Sequence, residues 1–406
     1  MSSKRIQGPI WIISGTRPEV IKLAPVLNQA RSQFGAQNVH WISTHQHLQL
    51  ESDTLARFGI TATHRLAERT GGGSITDFNL STIAQLTALQ ERTRPSLVIV
   101  QGDTASTFAG AFAAFHAGIP IAHVEAGLRT DDIHDPFPEE AYRRMIDAVS
   151  DLHFAPTMMA AERLISEGYS AGTVFSTGNT AVDALQMIDH MDIGAAAAEL
   201  PDIPDGARLL FVTAHRRESW GRPLEQLCMA IRDIVETFND VHVVLPVHVN
   251  PIVRDTVRRV LKDVPRVTLT HPLDFAACHF LIRRSHLILT DSGGIAEEAP
   301  SYGVPTLILR NATERPESVD AGLAQLVGTD RNTVLAAASA ILRNPALHTA
   351  MKASHNPYGD GRASERIVLG IERFLAQQLP VLSADEQFRE TGVVKFPAPT
   401  RLSDAS

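Results

Sequence analysis

Cysteine is nearly missing from this 406-residue chain, which carries only Cys228 and Cys278. Two thiols so far apart make neither a CxxC pair nor a disulfide framework, which excludes a disulfide-stapled scaffold and fits a reducing compartment. Long apolar runs are missing as well. The "IWII" near the start is far too short for a signal or spanning segment, as is every other apolar run, so a cytoplasmic protein with no membrane partner is expected. Positive charge is in deficit: 37 Lys and Arg stand against 45 Asp and Glu, for a formal charge of −8. That balance argues against a nucleic-acid partner while allowing a local basic pocket. Metal motifs are lacking too. The 17 histidines include His45 and His47 of "THQH", spaced to share one face of an extended segment, but no HExxH or Cys/His cluster accompanies them and no metal is expected. "TGGGS", ending at Ser74, resembles a phosphate loop only in glycine content and reads more economically as a flexible loop over a cleft.

The length exceeds what one hydrophobic core usually covers, and two domains of about 150 to 200 residues are expected. Apolar residues at 44% and charged residues at 20% describe an ordinary globular protein. Short β-branched runs recur at the spacing of βα units: "PIWIIS", "VHWIST", "LVIVQGD", "IPIAHVEAG" and "TVFSTGN", with helical periods between them. The series restarts after an Ala-, Pro- and Asp-rich stretch ending at Ala207, with "RLLFVTAH", "VHVVLPVH", "RVTLTHP", "HLILTDSGG" and "VPTLILRN". Such alternation builds parallel sheets wrapped by helices. The fold class is α/β, with similar domains at 1–180 and 181–361 and a polar, proline-bearing tail at 381–406 that is expected to be mobile.

In an open α/β sheet ligands sit beyond the carboxyl ends of the strands, so the residues following each apolar run are the candidates. "TDSGGIAEEAPSYG" leaves its strand through Ser292, Gly293 and Gly294, whose backbone N–H groups suit an anion such as phosphate. Like charge keeps Glu297 and Glu298 off that phosphate, and one of them is placed to accept from ribose hydroxyls. The same residues also read as a tight turn whose acids complement a helix dipole. "SGTRPEVIK" carries Arg17 and Lys22, fit for a carboxylate or phosphate, or for a solvated face. Asp103 in "QGDTAST" and Glu125 in "HVEAGLRT" both follow strands. "DPFPEEAYRRMID" adds Glu139 and Arg143 on one helix face, which alone is a surface pair worth under about 1 kcal/mol. Carboxylates aimed at one cleft shift one another's pKa values and leave protonated and ionised groups side by side, as acid/base chemistry requires. In the second half "VTAHRRES" sets His215, Arg216 and Arg217 after a strand, suited to a pyrophosphate leaving group, while "PVHVNP" and "LRNATERPE" bring His248 and Arg315 to comparable turns.

Taken in order, "GTRPEVIKLAPV", "THQH", "QGDTAST", "HVEAGLRT", "PFPEEAYRRMID", "FAPT", "GNTAVDAL", "VTAHRRES", "PVHVNP", "LILTDSGGIAEEAPSYG", "TERPE", "LVGTD" and "HNPYGDGRASERI" resemble segments of the non-hydrolysing UDP-N-acetylglucosamine 2-epimerase family. The resemblance runs from the first strand to Ile367. It implies two Rossmann-like domains with parallel sheets facing a cleft, the B-type glycosyltransferase architecture, with a last helix near 362–380 crossing back onto the first domain. It also implies inversion at C2 of a UDP-linked N-acetylhexosamine, interconverting UDP-N-acetylglucosamine and UDP-N-acetylmannosamine, with no nicotinamide or other cofactor. No carbonyl adjoins C2 to stabilise a carbanion, and expulsion of UDP from C1 supplies the driving force. Elimination to a 2-acetamidoglycal and re-addition then call for acid/base groups on two faces and an enclosed intermediate.

Carried over by position, Asp103, Glu125 and Glu139 would be the acid/base carboxylates, Lys22 and Arg143 would order or balance them, and His215 would stabilise the leaving diphosphate. Arg17, Ser292, Gly293 and Gly294 would hold the phosphates, Glu298 the ribose and Phe275 the uracil, with Arg315 in the same wall. Some members use a second UDP-sugar as allosteric activator, and Gln46, His47, Arg216 and His248 fall in the matching segments. A homodimer is implied as well. Three positions depart from the family pattern: His45 replaces a small residue, Ala214 replaces a glycine, and "ERTGGGSITDF" lacks a glutamine. A C2 epimerase of a modified UDP-sugar, such as a diacetamido uronic acid, therefore stays open. So does a glycosyltransferase of the same architecture, which would need no carboxylate trio in the first domain.

Overall fold

The computed structural model describes residues 8–68, 73–130, 132–189, 200–216, 219–313, 315–352 and 356–389. They fall into two compact units, one holding the chain up to Met187 and again from Tyr358, the other Ile188–Pro357.

The first unit runs β1 (Ile10–Ser14), α1 (Arg17–Phe34), β2 (Val39–Ser43), α2 (Leu48–Arg57), β3 (His64–Arg65) and α3 (Ile75–Arg92). It continues with β4 (Leu97–Gln101), α4 (Ala105–His116), β5 (Ile121–Val124), α5 (Glu139–Val149), β6 (Leu152–Ala155), α6 (Met158–Ser166), β7 (Val174–Ser176) and α7 (Thr180–Asp189). Its seven strands are parallel in the order β3-β2-β1-β4-β5-β6-β7. Helices cover both faces, which is why the strands read as nearly continuous apolar runs. Within β1 the residues alternate: Ile10 and Ile12 enter one core with α1, while Trp11 and Ile13 enter the other with α4.

The second unit repeats the plan with β8 (Arg208–Thr213), α8 (Arg222–Thr237), β9 (Val241–Pro246), α9 (Pro251–Leu261), β10 (Val267–Thr270), α10 (Phe275–Arg284), β11 (Leu287–Thr290) and α11 (Gly293–Glu298). It ends with β12 (Thr306–Ile308), α12 (Glu317–Asp320), β13 (Ala324–Leu326), α13 (Arg331–Arg343) and α14 (Pro345–Ala350). Its sheet is parallel in the order β10-β9-β8-β11-β12-β13. In each unit the strand order reverses at one place, between β1 and β4 and between β8 and β11, where an open sheet receives ligands beyond its carboxyl edge.

The last helix, α15 (Ala363–Leu375), packs in the first unit, burying Ile367, Val368 and Ile371 among Val20, Leu23 and Leu27 of α1. Asp183 of α7 receives its first N–H groups, from Ala363 at 3.2 Å and Ser364 at 2.7 Å, and the Ser364 hydroxyl at 2.6 Å. This capping explains why the first unit extends past 180 to include most of α7. α15 is shorter than the 362–380 span expected of it, because Gln377 takes a left-handed φ of 57° and turns the chain. The tail expected from 381 differs too. Val381, Leu382 and Phe388 are buried, Arg373 grips Glu386 through two 2.7 Å contacts, and Phe388 N–H donates to Ser176 O. Polar composition hid these anchors, and 390–406 lies outside the described residues.

Candidate active site

In the first unit the β1–α1 turn is organised by Glu19, which is buried three residues into the helix. One of its oxygens accepts from the Gly15 and Thr16 N–H groups at 2.8 and 2.7 Å and from the Thr16 hydroxyl at 2.9 Å. The other accepts from Thr104 at 2.5 Å and Thr107 at 2.8 Å, tying this turn to the one after β4. Burial, partly offset by these donors, raises the Glu19 carboxyl above its ordinary value. Arg17 is exposed beside this anchor. One helical turn on, Lys22 Nζ donates to Glu125 Oε2 at 2.5 Å, and Gln101 Nε2 donates to the same oxygen at 2.5 Å. Glu125 directly follows β5 with a left-handed φ of 67°, and its N–H and that of Ala126 both donate to Phe154 O. A non-glycine residue in that region is strained, and the resulting bulge re-aims the carboxylate out of the sheet toward Lys22.

Asp103 follows β4 after Gly102, whose φ of 71° lets the strand turn into α4. Its Oδ2 accepts from Arg143 Nε at 3.1 Å and also from Arg143 Nη2. Arg143 does not pair with Glu139, as their spacing suggested. Its Nη1 donates to Glu140 Oε2 at 2.6 Å, and Glu140 is fully buried, also receiving Arg144 at 2.7 Å and the Thr130 N–H at 3.0 Å. Both glutamates lie within reach of Arg143 on a helix, and only the packing of α5 decides which turns inward. Glu139 is left half-buried at the first position of α5.

"THQH" is not an extended segment: His45 has a left-handed φ of 57°, and His47 is exposed and precedes α2. Gln46 instead accepts from the Ser106 N–H at 2.9 Å and hydroxyl at 2.8 Å, fastening the loop to the start of α4. Of the "TGGGS" loop, 70–72 lie outside the described residues, and Ser74 caps α3 in a reciprocal pair with Asp77.

In the second unit His215 follows β8, half exposed, with Nδ1 3.1 Å from Asp291 Oδ1. The other Asp291 oxygen accepts the His215 and Arg216 N–H groups, each at 2.9 Å. Burial would raise this carboxyl, but the hydrogen bond and charge of His215 with these N–H groups hold it below its ordinary range. Arg217 lies outside the described residues. Ser292 caps α11, and Arg315 Nε is bound to the buried Glu297. A Cβ on Gly293 would stand 2.8 Å from Arg315 Nη1, so a larger residue there would displace the guanidinium. Glu298 Oε2 lies 3.5 Å from His279 Nε2, and Phe275 packs edge-on against the His279 ring at 4.3 Å. His248 accepts from the Asn250 N–H at 3.1 Å. The two glutamates of α11 thus divide: Glu297 fixes an arginine, and Glu298 borders the aromatic side.

Comparison with known proteins identifies the family. Residues 30–372 match the family model described as UDP-N-acetylglucosamine 2-epimerase. The UDP-N-acetylglucosamine 2-epimerase of Bacillus subtilis is 42% identical over 359 residues, covering 88% of this chain and 93% of that protein. The Escherichia coli K12 enzyme of the same description is 40% identical over 366 residues, covering 88% and 97%. The crystal structure of the Neisseria meningitidis UDP-GlcNAc 2-epimerase bound to UDP-GlcNAc superposes with a TM-score of 0.83 at 36% identity, covering 91% of this chain and 100% of that one. The chain belongs to the UDP-N-acetylglucosamine 2-epimerase family.

For this epimerase-family member, sequence reading missed the residues that hold the candidates: Gln101 on Glu125, Glu140 on Arg143, Asp291 on His215 and Glu19 across two turns. Asp291 and Gln101 belong to "TDSGG" and "QGDTAST" themselves, and the signal that could have singled them out was a polar residue at a strand's carboxyl end. Glu19 carried the capping-box signature, Thr16 followed three positions on by an acid. Among the described residues no group of three or more His, Cys, Asp and Glu side chains could hold a metal ion. No helix among them is long and apolar enough to cross a membrane.

Proposed function

We propose that this chain is a non-hydrolysing epimerase that interconverts UDP-N-acetylglucosamine and UDP-N-acetylmannosamine by inverting C2. The observation that carries the reading is the paired ordering of acids at neighbouring strand ends: Lys22 and Gln101 on Glu125, and Arg143 on Asp103. A glycosyltransferase has no need of these groups. A carboxylate takes the C2 proton while the C1–O bond breaks, its electron pair leaves with UDP, and the C1–C2 double bond of 2-acetamidoglucal forms. A second acid returns a proton to the opposite face of C2 as a β-phosphate oxygen rebonds to C1. No electrons are gained or lost overall, so the reaction calls on no redox cofactor.

Asp103, Glu125 and Glu139 serve as the acid/base groups, with Lys22 and Arg143 ordering them. His215, oriented by Asp291, stabilises the leaving diphosphate. Arg17, Ser292, Gly293, Gly294 and Arg315 hold phosphate, Glu298 the ribose and Phe275 the uracil. The test is incubation with UDP-N-acetylglucosamine in deuterated water. Formation of UDP-N-acetylmannosamine with deuterium at C2 is expected; a protein inert toward this and every other UDP-N-acetylhexosamine would refute the assignment, and activity confined to a modified UDP-sugar would move the substrate.

Regulation, assembly and location belong to the same proposal. A second UDP-sugar acts as activator through Gln46, His47, Arg216 and His248, supported in the first unit by a cavity of about 260 Å3 lined by Gln46, Glu68, Phe78 and Gln85 among others. Loss of turnover of pure UDP-N-acetylmannosamine, restored by a trace of UDP-N-acetylglucosamine, is the expected signature. A homodimer is supported by Leu80, Phe112, Phe115 and Met145, exposed on α3, α4 and α5, and sedimentation velocity tests it. A cytoplasmic location accords with two cysteines that form no disulfide.

A further inference from the structure

His123 stands on β5, two residues before Glu125, and is fully buried. The epimerase chemistry gives it no part. Its ring nitrogens meet two groups that only accept: Asp147 Oδ1 lies 2.6 Å from Nδ1, and the Gly102 carbonyl oxygen lies 2.8 Å from Nε2. Both contacts are hydrogen bonds only when both nitrogens carry protons, so the geometry calls for a buried imidazolium. Asp147 is its counter-ion. Burial would raise that carboxyl, but the charge of His123, its hydrogen bond and Arg129 outweigh burial and hold it below its ordinary range. Arg129 Nη1 sits 2.8 Å from Asp147 Oδ2, and the rest of the guanidinium grips Glu167 at 2.7 to 3.1 Å.

This buried ionic group ends on the turn that carries Asp103. Gly102 donates its N–H to Val124 O at 2.9 Å and accepts from His123 through its carbonyl, so β5 grips both polar groups of the residue preceding Asp103. Asp147 lies one helical turn after Arg143 on α5, and Arg143 binds the Asp103 carboxylate. One helix therefore anchors Asp103 twice, directly through Arg143 and indirectly through Asp147, His123 and the Gly102 carbonyl. Stability gives little reason for such a group, because apolar residues of similar volume commonly replace a buried ion pair at no loss. A rigid support for a reacting carboxylate does give one.

We propose that His123 is a positioning residue: an imidazolium clamped between Asp147 and the Gly102 carbonyl, it fixes the β4–α4 turn so that Asp103 is held in its reactive orientation. It acts through Gly102 and not on the substrate. The inference rests on the epimerase reading, in which Asp103 is an acid/base group.

Two replacements in the full-length enzyme separate the contacts. His123→Gln carries an amide donor near the Nε2 position, within reach of Gly102, while His123→Asn carries one near Nδ1, facing Asp147, and leaves the Gly102 carbonyl without its donor. His123→Asn is expected to lower kcat about 100-fold, with KM and the calorimetric Kd for UDP within about twofold, and His123→Gln to recover about tenfold of the loss. Unchanged kcat per folded molecule, or equal losses in both variants, overturns the proposal. Nitrogen NMR of the wild-type protein decides without any variant: the ring assigned to His123 is expected to carry a proton on each nitrogen, and a single protonated nitrogen contradicts the proposal. A wild-type protein inert on UDP-sugars would sink the epimerase reading instead, leaving the NMR result to stand on its own.

Discussion

Lys22 and Glu125 are bound to each other across 103 positions of sequence, Nζ to Oε2 at 2.5 Å, and that contact joins α1 to the bulge after β5. Replacing Lys22 with Met keeps the methylenes and removes the cation, leaving a buried carboxylate with Gln101 as a neutral donor. A fall in kcat of about 100-fold is expected, with the Kd for UDP within about twofold. Steady-state rates with calorimetry check it, and an equal loss of UDP affinity would assign Lys22 to phosphate binding instead.

Gly293→Ala tests the second unit. The added methyl would meet Arg315 Nη1 at 2.8 Å and push the guanidinium off Glu297. UDP affinity is expected to weaken about tenfold by calorimetry. Unaltered affinity would take Arg315 out of the phosphate wall.

Both sheets were legible because parallel strands buried on two faces are written as short apolar runs, and β4, "LVIVQ", is buried throughout. The polar residue after each run was legible for the same reason. What could not be read was which side chain each turn selects. Arg143 chose Glu140 over Glu139, and the period of a helix puts both within reach. Nothing local marked His123 and Asp147 as partners, since their pairing depends on β5 and α5 meeting in space. The cap that Asp183 gives α15 joins positions 180 residues apart, beyond any local pattern.

Glu51 carries a pH dependence. Burial, outweighing hydrogen bonds from the Ser14 hydroxyl and the His45 N–H, lifts its carboxyl from 4.5 to about 7. The folded protein thus holds a proton that the unfolded chain has already released. Below about pH 4.5 both states are protonated and the group contributes nothing. As pH rises toward 7 the folded state loses stability, by on the order of 3 kcal/mol in full. Glu51→Gln imitates the protonated acid and removes that slope. In urea titrations the variant should match the wild type near pH 4.5 and exceed it near pH 8. Parallel profiles would show that Glu51 does not titrate in this window.

In the proposed reaction the first unit's carboxylates exchange the C2 proton while the second unit's turns hold UDP. The most direct measurement is the rate of solvent deuterium entry at C2 of UDP-N-acetylglucosamine for the wild type, Asp103→Asn and Glu125→Gln, with UDP affinity measured alongside. Exchange is expected to slow about 100-fold or more in each variant, with Kd for UDP within about twofold. Wild-type exchange rates in both folded variants would contradict it.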